Sequence, residues 1–250
     1  MKHFKLANNL ILASHISGVY DVNRSSVLPN DDFSIVSAWA KSIADLGLQG
    51  ILFHNNFSEA TCKEHETDFL HFIKVEYNNL FNPNVYRYFV YNEFLKKHAA
   101  SIHNLFCTDV SDVVVLKNPF NETLFLENEN ALFCGDEPEL LNNDWMQEHS
   151  THFRNSIADY ANFETDFKDE TLLNCGIIGG SLAVMQSFID KLWAIHECYN
   201  SDNKTLFTGD MGAFNYLVRM QYNSKVIHGN PVNTVFKHYE DSSSCWFKHK

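Results

Sequence analysis

The chain has 250 residues, enough for a substantial core, with 45% hydrophobic and 20% charged residues, the balance of an ordinary globular protein. Its formal net charge of −12 at pH 7 argues against nucleic-acid binding, which depends on lysine and arginine neutralising phosphates. A phosphate-bearing small ligand stays compatible with that charge if a metal ion supplies the positive partner.

In chain order, "NNLILASHIS" predicts a short buried strand, followed by a polar loop to about Pro29. The opening "MKHFKLANNLILASH" lacks a clear cleavage site and is read as part of this first strand rather than a leader. "DDFSIVSAWAKSIADLGL" spaces Ile35, Trp39, Ile43 and Leu46 as a helix does, with aspartates at its start. "GILFHNN" and "DFLHFIKVEY" are further apolar runs. "VYRYFVYNEFLKKHAASI" predicts a helix with Tyr88, Tyr91 and Leu95 on one side and Lys96 and Lys97 late. "HNLFC" is a strand that runs into Asp109 and Asp112, and "DVVVL" is a β-branched run after them. "ETLFLENENALFCGDE" offers more strand candidates, and "DWMQEHSTHFRNSIADYANFE" reads as loop or helix. "TLLNCGIIGGS" is strand-like, while "AVMQSFIDKLWAIHECY" and "DMGAFNYLVRMQY" are helical. "KVIHGNPVNTVFKHYE" and a polar, aromatic tail end the chain.

Helices alternating with short apolar strands predict an α/β fold with a central, mostly parallel sheet. No repeat, linker or break in composition divides the chain, so one domain over residues 1–250 is expected. No segment reaches the length of a membrane span. The six cysteines are scattered without a C-x-x-C pair, which disfavours zinc and suits buried free thiols.

In open α/β sheets, ligands sit beyond the carboxyl ends of strands, where Asp109 and Asp112 fall. Carboxylate oxygens suit magnesium, manganese or calcium. A divalent ion held there clamps a diphosphate and neutralises its developing charge. The same pair also suits the capping of a turn.

"CTDVSDVVVLKNPF" resembles the variant D-x-D motif of GT-A, nucleotide-diphospho-sugar transferase type glycosyltransferases. "LLNCGIIGG" is similar to their Asn-x-Gly-x-x-Gly segment, "TGDMGAFNYL" to their Asp-Gln-x-x-x-Asn helix start, and "VIHGNP" to their C-terminal His-Gly segment. The four landmarks fall in the family's order. The departures are the D-x-x-D spacing, Met211 in place of glutamine, and Asn230 and Pro231 after His228 in place of the usual lysine and tryptophan.

The resemblance implies a single GT-A-like, Rossmann-like domain, with residues 1–120 as the nucleotide-binding half and 121–250 as the acceptor side. It implies a metal-dependent glycosyltransferase, an enzyme of the hexosyltransferase class in glycan biosynthesis, that uses Mn2+ or Mg2+. A sugar passes from a nucleoside diphosphate donor to a glycan or other hydroxyl acceptor, with retention leaned towards by the C-terminal histidine. The implied metal ligands are Asp109, Asp112 and His228. Arg87, Asp109, Asp112, Gly179 and Gly180 would bind the donor, and Asp210 and Asn174 would serve at the reacting sugar. Arg24 is a further nucleotide candidate.

Each residue also has a structural reading. Arg87 suits a partner for a catalytic carboxylate or a phosphate, or a solvated helix charge; the glycines suit a tight turn, Asp210 a helix-start acid and His228 a packing role. Asp136 and Glu137 suit either an acceptor contact or a solvated turn. Trp246 and Phe247 suit a cover over the donor or a peripheral membrane contact on an otherwise cytoplasmic protein. Two other functions compete: a non-catalytic carbohydrate- or calcium-binding protein, and a nucleotidyltransferase. The second lacks support from "SHISGVYDVNRSS", whose one glycine matches a phosphate loop poorly.

Overall fold

The first strand sets the architecture. In β1 (Asn9–His15), Leu10, Ile11, Leu12 and Ala13 are all fully buried. Leu10 and Leu12 join one apolar cluster, and Ile11 and Ala13 join the other. Such a strand must be covered on both faces, which a parallel sheet between helices provides. The computed structural model, which describes residues 4–21, 25–200, 209–239 and 244–250, has that arrangement.

After β1 come a small antiparallel pair, β2 (Tyr20–Asp21) and β3 (Ser26–Val27), then α1 (Ser34–Asp45), β4 (Gln49–His54), α2 (Glu59–His65) and β5 (Leu70–Lys74). The long helix α3 (Pro83–His98) leads into β6 (Asn104–Thr108), β7 (Val113–Val115), the single turn α4 (Thr123–Leu126) and β8 (Leu132–Leu140). Three short helices, α5 (Asp144–His149), α6 (Thr151–Ser156) and α7 (Tyr160–Asp166), precede β9 (Thr171–Ser181). The chain continues through α8 (Leu182–Tyr199), α9 (Asp210–Leu217), β10 (Val226–His228) and β11 (Phe247–His249).

Among the described residues one sheet has seven strands in the order β10-β8-β9-β6-β1-β4-β5. All neighbours run parallel except β9, which is antiparallel to both β6 and β8. The expected α/β class with a mostly parallel sheet is therefore the observed one. The strands up to residue 108 make one side of the sheet, and β8, β9 and β10 make the other. No described helix is long and apolar enough to cross a membrane.

Local chemistry accounts for the elements. Asn82 caps α3 by accepting from the Asn84 N–H, and Pro83 occupies its first turn. The predicted stripe of Tyr88, Tyr91 and Leu95 is buried. On α1, the buried Trp39 donates its indole N–H to Thr108 Oγ1 at 2.8 Å, which ties that helix to the end of β6.

Two expectations change. "TLFL" forms α4 rather than a strand, because it follows a turn capped by Asn118, and Phe125 then packs against Phe106 and Phe133. Trp246 and Phe247 are fully buried core residues, so the aromatic tail presents neither a membrane contact nor a cover. Trp246 lies against Phe106, Phe125 and Phe133. Four cysteines, Cys107, Cys134, Cys175 and Cys245, are buried free thiols. Arg24 lies outside the described residues.

Buried imidazoles, His54 and His196 among them, give the fold a pH dependence. Burial pushes His54 down to about 4 and His196 down to about 3. His196 stacks on Tyr88 with ring centroids 5.4 Å apart and contacts Asn200. Below the unfolded pKa of about 6.5 the unfolded chain binds protons that the folded chain does not, so stability falls as pH falls, until the folded values are reached. Between pH 7 and pH 5 each histidine should cost about 2 kcal/mol of stability. Denaturant melts across this range should show it, and His196→Gln should make the pH dependence shallower by about one proton.

Candidate functional site

In the order β5-β4-β1-β6, the chain builds outward from β1 to β4 and β5, then returns to place β6 on the other flank of β1. A reversal of this kind opens a crevice at the carboxyl ends of β1 and β6. Asp109 stands at that crevice, one residue beyond β6. The antiparallel β9 crosses the same point: the Asp109 N–H donates to the Gly176 carbonyl at 2.7 Å, continuing a register in which Thr108 faces Ile177.

Asp112 lies between β6 and β7. β11 pairs antiparallel with β7, with His249 opposite Val113, and the Lys250 N–H donates to the Asp112 carbonyl at 2.9 Å. These pairings gather one ligand atom each from Asp109, Asp112 and His249 within 4.8 Å of one another. His249 is 1% exposed, and its Nδ1 has no hydrogen-bond partner among the described residues. Burial pushes its imidazole down to about 4, against the pull of Asp109 in the other direction. The ring is therefore neutral at pH 7, the form that coordinates metal.

Gly176 is the floor of this cluster. A Cβ there would lie 2.7 Å from Asp109 Oδ2 and 2.7 Å from His249 Cε1. Two carboxylates and an imidazole, a buried nitrogen without a partner, and a recess that any side chain would fill together fit a divalent ion. The imidazole suits manganese better than magnesium, which prefers oxygen ligands alone.

Arg87 lies fully inside the fold on α3. It forms an ion pair with Asp109 through Oδ1 and another with Asp210 Oδ2 at 3.4 Å, and it also contacts Tyr88 Oη and Cys175 Sγ. Burial opposes its charge, but Tyr88, Asp109, Cys175 and Asp210 more than offset this and hold its pKa well above the ordinary value. The guanidinium is thus committed to two carboxylates rather than offered to a phosphate. It leaves Asp109 Oδ2 on the side of Gly176.

Asp210 opens α9 after Gly209, whose φ of +66° is one that a side chain disfavours. Its Oδ1 accepts from the Met211 N–H at 3.0 Å, and 7% of the residue is exposed. Asn215, one turn on, exchanges hydrogen bonds with both backbone groups of Leu173 and so pins α9 to β9. Asn174 bridges two groups: its Oδ1 accepts from the Gly176 N–H at 2.6 Å, and its Nδ2 donates to Glu137 Oε1 at 2.6 Å.

The structure thus brings Asp109, Asp112, Arg87, Asp210 and Asn174 together, and it redistributes the others. His228 ends the edge strand β10, three strands from β6, where its Nδ1 lies 2.9 Å from Asp136 Oδ2. Sheet order keeps it from the aspartates, and His249 stands in the position expected of it. Gly179 and Gly180 are buried inside β9 opposite Phe106 and Leu105, not in a turn. A Cβ on Gly179 would come within 2.1 Å of the Phe106 ring, so this glycine admits an aromatic ring rather than a donor.

His249 escaped sequence reasoning, whereas Gly176 lies in the glycine segment that the sequence singled out beside Asn174. The signal for His249 was the alternation in "FKH", which sets Phe247 and His249 on one buried face. No family model matches the chain, and no curated protein matches it at a significant level.

The two glycines separate packing from binding. Gly179→Ala should lower stability by about 1–3 kcal/mol through overpacking, read as a lower Tm, while leaving ion titrations with Mn2+ unchanged. Gly176→Ala should abolish that titration, because the methyl group would occupy the recess.

Proposed function

We propose that the protein is a metal-dependent glycosyltransferase, moving a sugar from a nucleoside diphosphate sugar to an acceptor hydroxyl. The observation that carries the reading is the Asp109, Asp112 and His249 cluster at the crevice where the strand order reverses. The resemblance of "CTDVSDVVVLKNPF" to the variant D-x-D motif supports the same conclusion.

Asp109, Asp112 and His249 hold the ion, Mn2+ or Mg2+, which when bound offsets the charge that develops on the departing diphosphate. The chain's own groups do the rest. Arg87 fixes the orientation of Asp109 by occupying one of its oxygens, and it couples that carboxylate to Asp210. Asp210 provides a fixed negative charge beside the cluster, suited to the positive character of a sugar centre losing its leaving group. Asn174 orients the Gly176 amide and closes the floor. The buried surroundings strengthen each of these interactions over their value in water.

Calorimetry with UDP, GDP, ADP and CDP, with and without Mn2+, tests the proposal. One of these diphosphates should bind in a manner that EDTA reverses. Asp109→Asn, Asp112→Asn and His249→Ala should each weaken that binding by about tenfold or more. His228→Ala should leave it within about twofold, as expected for a residue away from the ligands. Binding that ignores Mn2+, or that survives all three ligand changes, would remove the reading; calcium binding without any diphosphate would favour a non-catalytic protein.

A further inference from the structure

We infer that the cleft on the β8 side of the cluster receives a neutral sugar as acceptor, and that Glu137 takes the proton from its attacking hydroxyl. The inference rests on the glycosyl-transfer reading above and gives it an acceptor class.

β8 is parallel to β10 and, like β6, antiparallel to β9, so its carboxyl end opens at the same edge of the sheet as Asp109. There lies a cleft of about 340 Å³, whose lining includes Asp136, Glu137, Thr171, Asn233, Thr234 and Phe236. That volume falls within the range of small-molecule sites, roughly 300–1,000 Å³. Among the described residues the lining mixes carboxylates, amides, hydroxyls and one aromatic ring without lysine or arginine, and the nearby charge of Lys237 is met by Glu137 itself. The lining therefore disfavours an anionic acceptor, and it suits a neutral molecule with many hydroxyls and an apolar face to lay against a ring.

The cleft is joined to the cluster in two ways. The Phe236 ring lies 4.5 Å from the His249 ring. Asn174 connects Glu137 to the Gly176 amide.

The two carboxylates of the cleft differ in their commitments. Asp136 Oδ2 meets His228, and its backbone N–H and carbonyl are both bonded to the Asn233 side chain. Glu137 gives Oε1 to Asn174, and its Oε2 has no hydrogen-bond partner among the described residues. Burial raises the Glu137 pKa, Asn174 and Lys237 lower it, and Glu139 and Asp136 raise it, with a net rise. A carboxylate with that tendency is a better proton acceptor than a free one. Asp210, bonded to Arg87 and its own helix start, is less suited to the task.

The step balances within the site. The acceptor O–H bond breaks, with its proton passing to Glu137. The acceptor oxygen forms a bond to the anomeric carbon, and the bond from that carbon to the diphosphate oxygen breaks with its electron pair staying on the diphosphate. Glu137 then returns the proton to water.

The test uses the full chain with Mn2+, nucleotide sugars of the diphosphate that binds, and lactose and the methyl glycosides of galactose, glucose and mannose as acceptor probes. The wild type should glycosylate at least one probe. Glu137→Gln keeps the acceptor atom for Asn174, so it should fold, with diphosphate affinity within about twofold of the wild type. Its transfer rate should fall by about 10² or more, with loss of the acidic limb of the kcat/KM profile. Glu137→Asp should fall between the two. Transfer at the wild-type rate by Glu137→Gln, or an acidic limb that persists, overturns the role of Glu137. Loss of diphosphate affinity as severe as in Asp109→Asn also overturns it, because the residue would then belong to the ion and donor. Diphosphate binding without transfer to any probe overturns the sugar cleft. Absence of Mn2+-dependent diphosphate binding in the wild type is a separate result, which removes the glycosyl-transfer reading and this inference with it.

Discussion

One buried guanidinium holds the site together. Arg87 sits between Asp109 and Asp210, two carboxylates supplied by elements about 100 residues apart in sequence. Asp210 is buried, with 9% of its side chain exposed, while Asp109 keeps 31% exposed; a buried carboxylate near a second one is tolerable only with a cation beside it. Removing one partner from such a buried pair typically costs about 3–5 kcal/mol, because the charge left behind is unpaired. The geometry of the crevice therefore depends on α3, whose inner face carries Arg87 beside Tyr88, Val90 and Tyr91 in the core.

The second constraint is the reversal of β9. Run antiparallel between β6 and β8, it delivers Gly176 and Asn174 to the carboxyl ends of its neighbours from the opposite direction. A bulge between Cys134 and Gly135 lets the pairing with β8 slip from Ile178 to Asn174. This local slip lets Asn174 reach both Glu137 and the Gly176 amide. One strand thus serves two regions: its far end is packed glycine against Phe106, and its near end is the floor of the site.

Much of this was legible in the sequence where periodicity was strong. Trp39 and Ile43 on α1, Tyr88 and Leu95 on α3, and the apolar runs of β1, β4 and β6 declare an α/β sheet by their spacing alone. Asp109 and Asp112 were legible because a strand ends just before them. Sheet order was not legible, and His228 and Gly179 were misplaced for that reason. A histidine at the end of a strand-like segment reads alike whether its strand is central or at the edge. A glycine pair inside a strand reads like a turn until the ring that fills its space is known. His249 was hidden because the strand that carries it has three residues and gains its partner, β7, only in the folded chain. For Arg87 the sequence suggested a carboxylate or phosphate partner or else a solvated charge, because helical spacing does not reveal which groups face it across the core.

β11 is short, but it is not a flap. Trp246 and Phe247, just before His249, are wholly inside the core, and the backbone N–H groups of both are bonded to the segment 231–232. The imidazole is thus carried on a segment whose release would pull an indole out of an aromatic cluster. Of the three residues proposed to hold the ion, His249 would thus move only with that sub-global opening. Slow amide exchange along β7 and β11 would report that opening. The position of the imidazole is consequently set by the aromatic core behind it rather than by a closing loop.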